Sequence, residues 1–175
     1  MRSKNIQLRA LEPNDIDVLY QWENDTTIWH LSNTLTPFSR FALEQYVMNT
    51  VDDIFTTKQL RLMIDIHKED PVRTIGCIDL FDFDPVNQRA GIGVMIVKKE
   101  RGNGYASEAL DLIIDYAFNR LKLHQLYSNV IAGNTASLEL FKKKQFSVIG
   151  VKREWLRHEN AWADEYLLQL INNNS

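Results

Sequence analysis

Apolar and polar residues alternate over Ile6–Leu11 (IQLRAL), a spacing that predicts a short strand with one buried face. The spacing then lengthens. Ile16, Leu19 and Tyr20 in IDVLYQWEND fall at helical intervals behind Pro13-Asn14-Asp15, and Phe38, Phe41, Leu43, Tyr46 and Val47 mark a second helix behind Pro37. The runs QLRLMIDIH, RTIGCIDLFDF and QRAGIGVMIV follow, separated by KEDP and DFDPVN, turn chemistry that makes an antiparallel meander the economical reading. Past KKERGNGYASEAL, residues Ala106, Ala109, Leu110, Ile113, Ile114, Ala117, Phe118 and Leu121 form a broad apolar stripe on one long helix. HQLYSNVI is a further strand, and Asn134 is placed to cap a helix through ASLELFKKK. Two long strands, FSVIGVKREWL and AWADEYLLQLI, joined at His158-Glu159-Asn160, end the chain. The order β-α-α-β-β-β-α-β-α-β-β predicts an α+β architecture with helices covering one central sheet.

Composition narrows the class. The chain has 175 residues, 45% hydrophobic and 25% charged, which fits one soluble globular domain over residues 1–175. A formal net charge of −3 and the lack of a basic stripe argue against nucleic acid as a partner. The single cysteine, Cys77 in TIGCIDLF, reads as a buried hydrophobe. The N-terminus has no signal-peptide core, and no apolar run approaches the roughly 20 residues that cross a bilayer, so the expectation is a cytoplasmic protein without a membrane partner. The four histidines have no partner at metal-ligand spacing and there is no GxSxG elbow, which sets metal hydrolysis and serine-type acyl transfer aside and predicts no metal.

The chemistry concentrates at Lys98–Leu110. A glycine turn between a strand and a helix start offers unpaired N–H groups and the positive end of a helix dipole to an anion. A nucleotide P-loop needs GxxxxGK[ST], and the chain holds no Gly-Lys-Ser or Gly-Lys-Thr. A dinucleotide fingerprint needs a third glycine where Ser107 stands. A third candidate guest, the diphosphate of coenzyme A, rests on a family motif.

The segment Arg101-Gly102-Asn103-Gly104-Tyr105-Ala106 matches [QR]-x-x-G-x-[GA], and through it the chain resembles the GNAT N-acetyltransferases. The likeness extends to Asn134 through Phe146, to Asn87–Gly93 at the entry of the fourth strand, and to Asn160-Ala-Trp-Ala-Asp164, which resembles the last hairpin of the branch that acetylates ribosomal-protein N-termini and polyamines. The resemblance implies a GNAT fold, a mixed and mostly antiparallel sheet flanked by about four helices, whose fourth and fifth strands splay apart to hold acetyl-CoA as co-substrate. It further implies that Val94, Met95 and Ile96 offer main-chain groups to the pantetheine arm. Arg101 would bind the cofactor, and the N–H groups of Gly102, Asn103, Gly104, Tyr105, Ala106 and Ser107 would surround the diphosphate, the glycines admitting it because a Cβ would stand in the way. Asn134 would bond the pantetheine or cap its helix, Phe141 and Lys143 would also lie along the cofactor, and Lys98, Lys99 and Lys142 to Lys144 would either reach the phosphates or complement a helix C-terminus.

The reaction so implied is direct attack of a primary amine on the thioester, with an N–H near Met95 or Ile96 stabilising the oxyanion. The chain departs from the family at three positions: Phe141 stands for a tyrosine general acid, Gly91 for a glutamate, and Gln145 for a glycine that ends the helix. Ser137, one turn before Phe141, is the candidate that replaces the lost hydroxyl, or it serves only the first turn of its helix. Glu23, Asp25 and Trp29, with Trp22 and His30, and on the last hairpin Glu154, Trp155, His158 and Trp162, suit a small cationic amine, a polyamine or a protein N-terminus. An aminoglycoside-type acceptor and a non-catalytic acetyl-CoA-binding module are the alternatives, and the aromatic hairpin is a candidate surface for a homodimer.

Overall fold

The computed structural model describes residues 1–29, 34–49, 53–158 and 161–173. Strand β1 (Ile6–Ala10) leads through a 3-10 turn at Pro13–Asp15 into α1 (Ile16–Glu23). Helices α2 (Arg40–Asn49) and the short α3 (Ile54–Thr57) come next. The meander β2 (Leu60–Ile66), β3 (Arg73–Asp84) and β4 (Arg89–Ile96) follows as expected, then α4 (Tyr105–Asp115), β5 (Gln125–Ile131), α5 (Thr135–Lys143), β6 (Ser147–His158) and β7 (Ala161–Ile171). Seven strands form one sheet in the order β1-β2-β3-β4-β5-β7-β6. Every adjacent pair is antiparallel except β4 and β5, which run parallel.

Strand alternation gives the sheet two covered faces. Leu62, Ile64, Ile78, Leu80, Ile92 and Leu126 join Leu110 and Ile113 of α4 and Phe141 of α5 in the larger core. On the other face Met63 and Cys77 pack against Leu19 of α1 and Leu43 and Val47 of α2. Burial pushes the Cys77 thiol up to about 12, which leaves it inert as a nucleophile.

Two helices differ from the expected pattern. Phe41 is 69% exposed because α2 turns Leu43 and Val47 inward, which puts position 41 on the outer side of the turn. The long helix ends its α-geometry at Asp115 and continues as a π turn over Tyr116–Arg120. No helix among the described residues is long and apolar enough to cross a membrane.

Candidate active site

The parallel strands β4 and β5 pair only at Arg89, Ala90 and Gly91, opposite Gln125, Leu126 and Tyr127. Beyond Gly91 and Tyr127 they diverge. The N–H of Val97 donates to the carbonyl of Ile75 at 2.9 Å, so alternation turns the main-chain groups of Met95 toward β3 and those of Val94 and Ile96 into the gap. At its far end the gap opens into a cavity of about 570 Å³. Met95, Val97, Lys98 and Arg101 line it from one side, Ile131, Gly133 and Asn134 from β5 and the turn after it, Trp22 from the last turn of α1, and Asp25, Thr27 and Ile28 from the loop that follows.

The glycine corner is built by backbone conformation. Gly102 and Gly104 both have φ of +84°, a left-handed setting that side chains resist, and Gly104 is the N-cap of α4. A Cβ at either position would meet no protein atom within 4 Å, so within the chain itself it is the φ of the corner that demands glycine. The first N–H groups of α4, at Tyr105, Ala106 and Ser107, have no helical carbonyl behind them and point outward along the axis. Arg101 Nε donates to the carbonyl of Ile96 at 2.9 Å, which ties the corner to the last gap-facing residue of β4. Asn103 Nδ2 donates to the carbonyl of Glu100 at 3.2 Å and closes the turn.

The structure distributes the remaining expected residues unevenly. Asn134 lines the cavity and also caps α5, its Oδ1 accepting from the N–H of Ser137 at 3.1 Å. Ser137 is half-buried on that first turn and is not among the described cavity-lining residues. Phe141 is 3% exposed and packs edge-on against Phe146, with ring centroids 5.0 Å apart, so in this structure it is a core residue. Lys143 is exposed, Lys142 pairs with Glu139 and Lys144 with Asp111, and none of the three is among the described cavity-lining residues. Gln145 takes the helix-ending role at φ of +66°: its N–H donates to Lys142, and the N–H of Phe146 reaches back to the carbonyl of Phe141.

On the acceptor side, Asp25 and Trp22 are the members of the expected group that line the cavity among the described residues. The Asp25 carboxyl is held below its ordinary range by the hydroxyl and N–H of Thr27 and by the charges of Arg101 and Lys98. Glu23 is turned to Arg61 at 2.6 Å, and Arg61 also forks onto Asp79 at 2.7 and 3.1 Å, so the Glu23 charge is already matched. Trp29 donates its indole N–H to the carbonyl of Glu23 at 2.8 Å. Trp155 and Trp162 are 58% and 62% exposed on the outer hairpin. His30, Glu159 and Asn160 lie outside the described residues. Sequence reasoning missed Arg61, Thr27 and Gly133; only the run Gly133-Asn134 behind a strand carried a readable turn signal.

A family model described as the GNAT acetyltransferase domain matches residues 5–147. A Bacillus licheniformis protein named uncharacterized N-acetyltransferase p20 is 29% identical over 170 residues, covering 97% of this chain and 94% of its own length. The spermidine N(1)-acetyltransferase of Escherichia coli strain K12 is 26% identical over 150 residues, 83% of this chain and 75% of that protein. In fold, the crystal structure of spermidine N-acetyltransferase from Vibrio cholerae in complex with CoA and spermine superposes with a TM-score of 0.87 over 97% of this chain and 96% of that one, at 20% identity. Because the family match spans most of the length and the strand order and divergence agree with it, the chain belongs to the GNAT acetyltransferases: it is an N-acetyltransferase that carries acetyl from acetyl-CoA to an amine.

Proposed function

We propose that the acceptor is a small polycationic amine of the spermidine kind, acetylated in the cytoplasm with acetyl-CoA lying along the β4–β5 gap. In this reading the N–H groups of residues 102–107 receive the diphosphate, with Lys98 and Arg101 beside it, and the gap-facing main chain of Val94 and Ile96 pairs with the pantetheine as an added strand would. The Ile96 N–H faces the gap and is the candidate oxyanion donor.

The observation that carries the reading is the joining of Asp25 and Trp22 with Lys98 and Arg101 in one cavity. Without a donor molecule the two cations repel a polyamine from Asp25. A diphosphate on Lys98 and Arg101 cancels that repulsion and leaves Asp25 and the Trp22 ring to attract the amine. The named substrates of the Escherichia coli and Vibrio cholerae relatives support the same class. The exposed Trp155 and Trp162 support pairing of two copies through the β6–β7 hairpin, which sedimentation of the wild type and W162A compares directly.

A thiol-release assay with spermidine, spermine, an aminoglycoside and N-terminal peptides tests the acceptor. Spermidine turnover is expected, and spermidine binding by calorimetry only after a coenzyme A analogue is added. Turnover confined to peptides or the aminoglycoside overturns the polyamine reading.

A further inference from the structure

Acetyl transfer requires a group that takes a proton from the amine, and Gly91 supplies none. A side chain could not stand there, since the Phe81 ring fills the place at 2.2 to 2.6 Å from a Cβ on Gly91. The replacement has to come from the same sheet face, the one that carries Met95 and Asp79. The carboxylates of that face are mostly matched by cations, Glu23 and Asp79 by Arg61 at 2.6 and 2.7 Å and Glu165 by Lys152 at 2.7 Å, while Asp25, in the loop after α1, accepts from Thr27 and sits in the field of Arg101 and Lys98. Asp82 differs. Its described hydrogen bond comes from a neutral group, the Tyr127 hydroxyl, at 2.9 Å.

The position of this pair in the sheet is specific. Tyr127 is the partner of Gly91 in the last β4–β5 pair, so it stands at the vertex from which the gap opens. Its ring meets Phe81 edge-on at 5.8 Å and 84°, which fixes its direction. Asp82 lies in the irregularity of β3 between Phe81 and Asp84 and has φ of +50°, a bulge that re-aims its side chain toward Tyr127.

We propose that Tyr127 is the proton-accepting group of this acetyltransferase, with Asp82 as its positioning partner. The Tyr127 oxygen takes a proton from the ammonium nitrogen while the Tyr127 proton passes to Asp82 Oδ2, and the neutral amine then attacks, forming the C–N bond and breaking the C–S bond. Tyrosine ends neutral, exposed Asp82 returns its proton to water, and the second nitrogen proton passes through water to the departing thiolate. Burial and Asp82 push the Tyr127 phenol up to about 12, so it stays protonated and donates to Asp82, while Arg89 opposes the shift. Arg89 is itself 3.4 Å from Asp84, and the neighbours Phe81 and Gln169, from β3 and β7, are uncharged.

The test compares wild type, Y127F and D82N across pH. Y127F is expected to lose about 10²-fold in kcat near pH 7 with unchanged acetyl-CoA affinity by calorimetry. The deficit is expected to shrink toward about pH 10, where the amine arrives already neutral. D82N should lose less and should lower the Tyr127 phenol midpoint, read as the ultraviolet tyrosinate difference between D82N and D82N/Y127F. That titration needs no amine, so it is independent of which acceptor the enzyme uses. If Y127F does not fold, D82N carries the pH test, since asparagine tolerates the left-handed backbone. Activity of Y127F or D82N within about twofold of wild type near pH 7, a deficit equal at both pH values, or a phenol midpoint unmoved in D82N overturns the proposal.

Discussion

The ring of Phe81 lies over the backbone of Gly91, so that a Cβ on Gly91 would stand 2.2 Å from Phe81 Cε2 and 2.4 Å from Cζ. Packing therefore decides the residue at position 91. Gly91→Ala is expected to displace Phe81 and with it Tyr127, at a cost of about 1 to 3 kcal/mol, seen as a lowered midpoint in urea unfolding. Gly91→Glu, which supplies the carboxylate common in the family, is expected to destabilise the fold at least as much without raising kcat.

Arg9 joins two buried carboxylates, bonding Asp15 at 2.6 and 2.7 Å and Asp65 at 2.7 Å, and thereby pins β1 to β2 and to the turn before α1. Asp15 and Asp65 are only 5% and 2% exposed. Arg9→Ala leaves both charges without their cation and is expected to cost about 3 kcal/mol by chemical denaturation. A loss below about 1 kcal/mol contradicts this reading.

Gln145 ends α5 in a left-handed conformation that costs a residue with a Cβ about 1 to 2 kcal/mol. Gln145→Gly removes that cost and is expected to raise stability by up to about 1 kcal/mol while leaving activity unchanged. A loss of stability would show that the Gln145 side chain makes a contribution larger than the strain.

Stability should fall in acid. Burial alone raises the carboxyls of Asp15 and Glu108, but Arg9 and the Glu12 N–H on the first, and Ser3 and Asn5 on the second, outweigh it and hold both below their ordinary values. Each therefore contributes fully above its unfolded-state value, about 3.9 for Asp and 4.3 for Glu, and loses that contribution as pH falls through the lower folded value. Tm is expected to be nearly flat from about pH 6 to 8 and to drop below about pH 4, with a smaller acid drop in E108Q.

Local pattern made most of the fold legible. The alternation in IQLRAL, the turn chemistry of KEDP and DFDPVN and the stripe from Ala106 to Leu121 each report a neighbour a few positions away, and each matches an element of the sheet or the helix that crosses it. The glycine corner was readable for the same reason. Pairings that close over long separations were not. Arg61 neutralises Glu23 from a strand 38 positions on, and Glu108 anchors Ser3 and Asn5 across more than half the chain, so neither acid advertises its partner in the sequence. Gly91 carried a signal that pointed elsewhere: a missing carboxylate drew attention to lost chemistry, whereas a ring from the neighbouring strand had taken the space.

The central claim, that the left-handed glycine corner at the open end of the β4–β5 gap receives the donor, is tested most directly by titrating acetyl-CoA into wild type and Gly104→Ala by calorimetry. One molecule per chain is expected for wild type, with affinity reduced at least about tenfold in the variant, because a Cβ at φ of +84° forces the corner out of shape. Equal affinity in the two proteins, or no binding heat in either, would contradict the account.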